Sequence, residues 1–169
     1  MTRTDFEQIL ERYQRPVISI IYKMTFNWEV ARDLAQDAFV DLWRSRGTID
    51  SRRPVFTLLY RIAVNKAIDY GRKIKTFPLS DGLAAEGDFS ETMEARELRA
   101  TLKQCAERLP PRQRAIFVLR DMEGLSIDEV AEVLGQSAGA VRSNLHLARQ
   151  AVRNHLVAYH KEVVYEYGL

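Results

Sequence analysis

The sequence predicts an all-α fold of two small helical domains joined by an acidic flexible linker, and three observations carry that prediction. Apolar residues recur at the 3.6-residue helical period through most of the 169 residues. Proline and glycine are sparse from Thr4 to Tyr70 and again from Glu94 to Tyr167, so little interrupts helices of ordinary length there. Between these stretches, Lys75–Glu94 gathers turn formers and acids, and formal charge runs +4 over residues 1–73, −4 over 74–95 and +2 over 96–169. The expected boundaries are 1–74 for the first domain, 75–95 for the linker and 96–169 for the second. Fully extended, the roughly twenty linker residues reach about 70 Å at 3.3–3.6 Å each.

In the first domain, Phe6, Ile9, Leu10, Tyr13 and Val17 form one helical stripe, with Pro16 the single interruption. A second helix, Glu29–Arg44 with Asn27 as its cap, buries Ala31, Leu34, Ala35, Ala38, Phe39 and Leu42. Its far side carries Asp33, Gln36, Asp37, Val40 and Arg44, and a valine within a polar stripe marks a docking surface. Gly47–Pro54 breaks the helix and brings Arg46, Arg52 and Arg53. A third helix, about Phe56–Lys73, places Arg61, Asn65, Asp69 and Arg72 in one row and ends on Lys73 and Lys75. Phe56, Tyr60, Tyr70 and Phe77 lie nearby, and cations interleaved with rings suit single-stranded nucleic acid, whose bases stack while its phosphates follow the charge.

The second domain holds the most specific motif. Ser126 caps a helix and Glu129 completes a capping box, with Ile127, Val130, Ala131 and Leu134 turned to the core. Gly135 stops that helix, because glycine takes the left-handed conformation without steric cost. Ser137 caps the next helix, in which Val141, Leu145, Ala148 and Val152 form the buried stripe. Its other face carries Arg142, Ser143, His146, Gln150 and Arg153, with Arg149 at the edge. Two helices joined by so short a turn read as a helix-turn-helix, whose second helix enters a DNA groove.

Composition narrows the classes. The hydrophobic share of 46% belongs to a folded chain, and a net charge of +2 leaves nucleic-acid affinity to local patches. One cysteine, Cys105, permits no intramolecular disulfide, and its neighbours Leu102, Ala106 and Leu109 predict a buried thiol. No secretion signal or spanning segment is read; Val17–Tyr22 is far too short to cross a bilayer, so a cytoplasmic protein without direct membrane insertion is expected. His146, His155 and His160 lack the spacing of a metal site, and neither a catalytic triad nor a phosphate loop is present. The reading is therefore of no catalytic residues, no metal, no cofactor and no small-molecule substrate.

Taken together, the segments resemble the extracytoplasmic-function group of bacterial sigma factors, the smallest members of the sigma-70 family, over almost the whole chain. Phe6–Tyr13 with Asp33–Arg44 resembles the segment that grips the coiled coil of the polymerase β′ subunit, which implies docking by Asp33, Gln36, Asp37, Val40, Asp41 and Arg44. Leu59–Tyr70 with Arg72 and Lys73 resembles the helix that reads the −10 promoter element, which implies DNA contacts by Arg52, Arg53, Arg61, Asn65, Arg72 and Lys73. The resemblance also implies capture of an unstacked base in the Gly47–Pro54 loop. Leu109–Arg120 with the helix-turn-helix resembles the domain that reads the −35 element, which implies contacts by Arg142, Ser143, Asn144, His146, Arg149 and Arg153. Ile116 and Phe117 fall where the family meets the β flap, although core packing is the expectation for most of that segment.

The resemblance implies core RNA polymerase, promoter DNA and an anti-sigma factor as partners, and a stress, envelope or metal-response regulon. The chain departs from the family in three places: Leu58 replaces a tryptophan, Asn144 and Leu147 stand where many members carry arginine, and a weakly amphipathic tail with Tyr159, Val163, Val164 and Tyr167 follows Val157. The competing reading is a stand-alone helix-turn-helix repressor or activator, in which the first domain has no role.

Overall fold

A computed structural model describes residues 1–50, 52–76 and 92–167. Among the described residues every regular element is helical. The first domain consists of α1 (Arg3–Thr25), α2 (Trp28–Arg44) and α3 (Val55–Thr76), each packed on the other two. A capping box that the sequence reading missed starts α1: the Thr2 hydroxyl accepts from the Asp5 amide, and the Asp5 carboxylate accepts from the Thr2 amide. Those bonds hold the Asp5 carboxyl below its ordinary pKa. Pro16 does not end α1. Beyond it the helix buries Val17, Ile20, Ile21 and Met24, whereas Phe6, Ile9, Leu10 and Tyr13 before it are only half-buried. Phe26 closes α1 in the left-handed conformation at φ 53°, and Asn27 then caps α2 by accepting from the Val30 amide at 3.1 Å, as expected.

The second domain runs through α4 (Met93–Glu107), α5 (Pro111–Phe117), a π-helical turn (Val118–Met122), α6 (Ile127–Leu134) and α7 (Ala138–Tyr167). Pro111 opens α5, where its missing amide proton leaves no helical bond unmade. The expected capping box at Ser126 and Glu129 is present, Gly135 turns the chain at φ 62°, and the Ser137 hydroxyl accepts from the Ala140 amide at 3.1 Å. Val141, Leu145, Ala148 and Val152 are all buried, as the stripe predicts. Cys105 is buried with Leu109, Ala148 and Val152, with Phe117 packed against them, and burial pushes its thiol pKa up.

The core departs from the sequence reading in one respect. Leu34, Ile127, Ala131 and Leu134, expected inside, are part-buried, while Val133 is completely buried. For the residues of α6 the reason lies in α3. Helix α6 packs against both α7 and α3, so its buried surface is set by two neighbours rather than by its hairpin partner alone. One apolar cluster consequently runs through both domains, joining Leu59, Ala63 and Val64 of α3 to Ile116, Leu119, Val130 and Val133. Polar links reinforce the junction: Lys23 pairs with Glu123, Arg61 donates to the carbonyls of Glu132 and Val133, and Arg114 donates to the Met24 carbonyl at 2.7 Å.

Candidate nucleic-acid and partner interfaces

The expected docking face occupies one side of α2. Asp33, Gln36, Asp37, Val40 and Arg44 are exposed there, Val40 retaining 40% of its accessible surface. Asp41 is half-buried and engaged: its carboxylate lies 2.7 Å from Lys66 Nζ on α3 and 3.7 Å from Arg44. Beside Val40 lies an apolar groove of about 750 Å³ between α1 and α2, lined by Phe6, Leu10, Ile18, Ala35, Phe39 and Trp43. Phe6 meets Phe39 edge-on at 6.3 Å and Trp43 at 5.0 Å. Those contacts fix the groove floor, and Arg15, Arg32 and Gln36 give it a polar rim. An apolar trough with charged edges can accept an amphipathic helix. The half-burial of Phe6 and Leu10 thus reflects an open groove rather than a weak helix.

The loop after α2 and the start of α3 enclose a second pocket, of about 280 Å³, lined by Thr48, Ile49, Asp50, Arg53, Val55, Leu58 and Arg61 among others. Asp50 shapes the loop by accepting from the Arg52 amide at 2.9 Å. Leu58, at the position where the resemblance expects a tryptophan, is half-buried and forms part of this wall. Arg53 is exposed and lines this pocket, Arg52 is exposed beside it in sequence, and Asn65, Arg72 and Lys73 are exposed further along α3. Arg61 is set apart from them. It is half-buried, and its guanidinium is engaged on the last carbonyls of α6. Of the nearby rings, Tyr60 packs edge-on against Tyr13 and Phe56, and burial raises its pKa; Phe77 lies outside the described residues.

On α7, Arg142, Ser143, His146, Arg149 and Arg153 are exposed, in the order the helical spacing predicts. Asn144 differs: it is half-buried, and its side-chain amide donates to the Ala140 carbonyl one turn back. Arg149 is held by Asp121 of the π-helical turn through a bidentate pair at 2.6 and 2.8 Å, which raises its pKa. The sequence reading missed Asp121, because 28 residues separate the partners and no local pattern joins them. It also missed Arg120, which donates to the Leu125 carbonyl at 3.1 Å and lines a shallow hollow with Arg142, His146 and Arg149. No helix among the described residues is long and apolar enough to cross a membrane.

Comparison with known proteins matches both domains separately. Residues 9–76 match the Sigma-70 region 2 family, and residues 99–152 match Sigma-70, region 4. The chain is 31% identical to the RNA polymerase sigma-H factor of Pseudomonas aeruginosa, over 87% of this chain and 83% of that one. It is also 31% identical to the ECF RNA polymerase sigma factor SigW of Bacillus subtilis, over 89% and 88%. Among solved structures it is similar to CnrH in complex with the cytosolic domain of CnrY, at 25% identity and a TM-score of 0.72 over 93% of this chain and 90% of that one. With both regions in the expected order and full-length relatives above three-tenths identity, the chain belongs to the extracytoplasmic-function group of RNA polymerase sigma factors within the sigma-70 family.

Proposed function

We propose that this sigma factor binds core RNA polymerase through the exposed face of α2 and the adjoining groove, and directs it to promoters read at two places. Asp33, Gln36, Asp37, Val40, Asp41 and Arg44 form the docking face, and the β′ coiled coil supplies the helix that enters the groove. The Leu58-walled pocket receives a base flipped out of the −10 element, and Arg52, Arg53, Asn65, Arg72 and Lys73 hold that strand. Extruding a base costs a few kcal/mol, which pocket contacts and phosphate neutralisation must offset. Arg142, Ser143, His146 and Arg153 face the −35 duplex. An anti-sigma factor restrains the protein, which works in the bacterial cytoplasm as a non-enzymatic initiation factor for a stress, envelope or metal-response regulon.

The observation that carries this reading is the pairing, within one chain, of a recognition face on α7 with an open apolar groove on the first domain. A stand-alone repressor needs the former and has no use for the latter. The test is transcription from sheared genomic DNA by core polymerase with and without the protein, with transcript 5′ ends mapped. Protein-dependent starts that share sequence near −10 and −35 are expected. Tight duplex binding by the protein alone, with no protein-dependent starts, would overturn the proposal in favour of a repressor.

A further inference from the structure

We propose that Leu147 is a specificity-determining residue of the recognition helix, and that it reads the C5-methyl group of a thymine in the major groove of the −35 element. This inference rests on the function proposed above. Leu147 keeps 49% of its accessible surface and is the one large apolar side chain exposed among the described residues of α7 before Leu156. It does not stand at the margin of the helix. Ser143 lies one turn before it and Gln150 one turn after, both exposed, so helical spacing sets Leu147 within the polar face that also carries Arg142, His146 and Arg153. The opposite face is closed, with Val141, Leu145, Ala148 and Val152 all buried. A leucine left in water among side chains that face DNA gains from burial only where the duplex presents an apolar group.

The major-groove edges of the bases offer one methyl group. Guanine presents N7 and O6, adenine N7 and its N6 amine, cytosine its N4 amine, and thymine a C5-methyl beside O4. Leucine has neither donor nor acceptor. Set against a purine edge it strips water from polar groups it cannot bond, whereas against thymine it exchanges water for contact between methyl groups. Its neighbours leave that place to it. Asn144, three residues earlier, has its side-chain amide turned back on the Ala140 carbonyl at 3.0 Å. Arg149, two residues later, is held bidentately by Asp121. A helix advances about 1.5 Å per residue, so Leu147 lies about 7.5 Å beyond Arg142 along α7, or about two base pairs at 3.4 Å each. The thymine is therefore expected about that far from the position Arg142 contacts, on either strand.

The test removes one methyl at a time. Promoters mapped with core polymerase and the full chain are rebuilt with deoxyuridine in place of each thymine of the −35 element, which deletes the C5-methyl and keeps every hydrogen-bonding group. Run-off transcription at subsaturating holoenzyme compares wild type with Leu147→Ala. The melting temperature of that variant should be unchanged, because the side chain is exposed and alanine favours the helix. At one thymine, deoxyuridine should lower the wild-type transcript threefold or more and leave the output of Leu147→Ala unchanged, so that the two changes are not additive. A −35 element without a thymine whose methyl matters to wild type, or an equal deoxyuridine effect in both proteins, would overturn the inference. The absence of any protein-dependent start would instead refute the function proposed above.

Discussion

Replacing Arg114 by alanine should weaken the whole molecule, because its guanidinium ties three chain segments together. Nε donates to the Ala106 carbonyl at 2.7 Å, Nη1 to the Met24 carbonyl at 2.7 Å, and Nη2 to the carbonyls of Glu107 and Leu109 at 3.1 and 3.4 Å. The first and third sets close the turn after α4; the second crosses to the end of α1. Burial lowers the arginine's pKa, so part of the gain is offset by desolvation. A hydrogen bond to a charged group contributes about 1.5–3 kcal/mol net, so the two short bonds together give roughly 3–6 kcal/mol. Releasing the side chain returns about 2 kcal/mol of rotamer entropy, which leaves a loss of about 1–4 kcal/mol. Arg114→Lys keeps the charge without the fork and should lose about half as much. Urea unfolding followed by far-ultraviolet circular dichroism reads these values as shifts in midpoint. A loss under about 1 kcal/mol for alanine, or a lysine variant equal to wild type, would refute the reasoning.

Gly135→Ala should cost about 1 kcal/mol through its left-handed backbone alone, since nothing lies within 4 Å of the added methyl; thermal unfolding would measure it. Val40→Asp should leave the melting temperature unchanged, as 40% of Val40 already meets water, while weakening binding to core polymerase at least tenfold in a pull-down titration. Arg142→Ala should weaken −35 duplex binding and, if it meets a phosphate, reduce the slope of log affinity against log salt by about one. Cys105 should react with thiol reagents only as the protein unfolds. Because its folded pKa is raised, it adds no pH dependence below the ordinary thiol range, and stability should fall as pH rises from that value toward the folded pKa.

Features written within one turn of the helix were legible in the sequence. Asn27, Ser126 with Glu129, Gly135 and Ser137 each act on backbone groups three or four residues away, so their chemistry needs no knowledge of the fold. Thr2 with Asp5 carries the same local signature. Pro16 predicts an interruption, but a helix held by tertiary packing tolerates the loss of one bond. What could not be read depends on distant partners. Val133 is core because α3 covers it, and Arg61 caps α6 across 71 residues. Asp41 has Lys66, and Arg149 has Asp121, at separations no periodicity encodes. The resemblance located the surfaces; only the packing revealed which of their side chains were already engaged.

That distinction bears on how the second domain holds DNA. Six residues of α7 were expected to meet the −35 duplex, four of them capable of carrying positive charge. Arg149 is held bidentately by Asp121, so part of its charge is already offset. Asn144 bonds to its own helix. Arg142 and Arg153 remain exposed on the outer face as permanent cations. On the function proposed above, two fixed cations would release few counterions, which would make this recognition face a weak and weakly salt-dependent DNA ligand. A protein that had to find its site alone would be poorly served by that arrangement. A subunit carried to DNA by a larger enzyme is not, because the enzyme supplies affinity and the helix needs only to discriminate. On the function proposed above, the Asp121–Arg149 pair would act as a support, fixing the recognition helix on the π-helical turn so that Arg142 and Arg153 meet the duplex in one register.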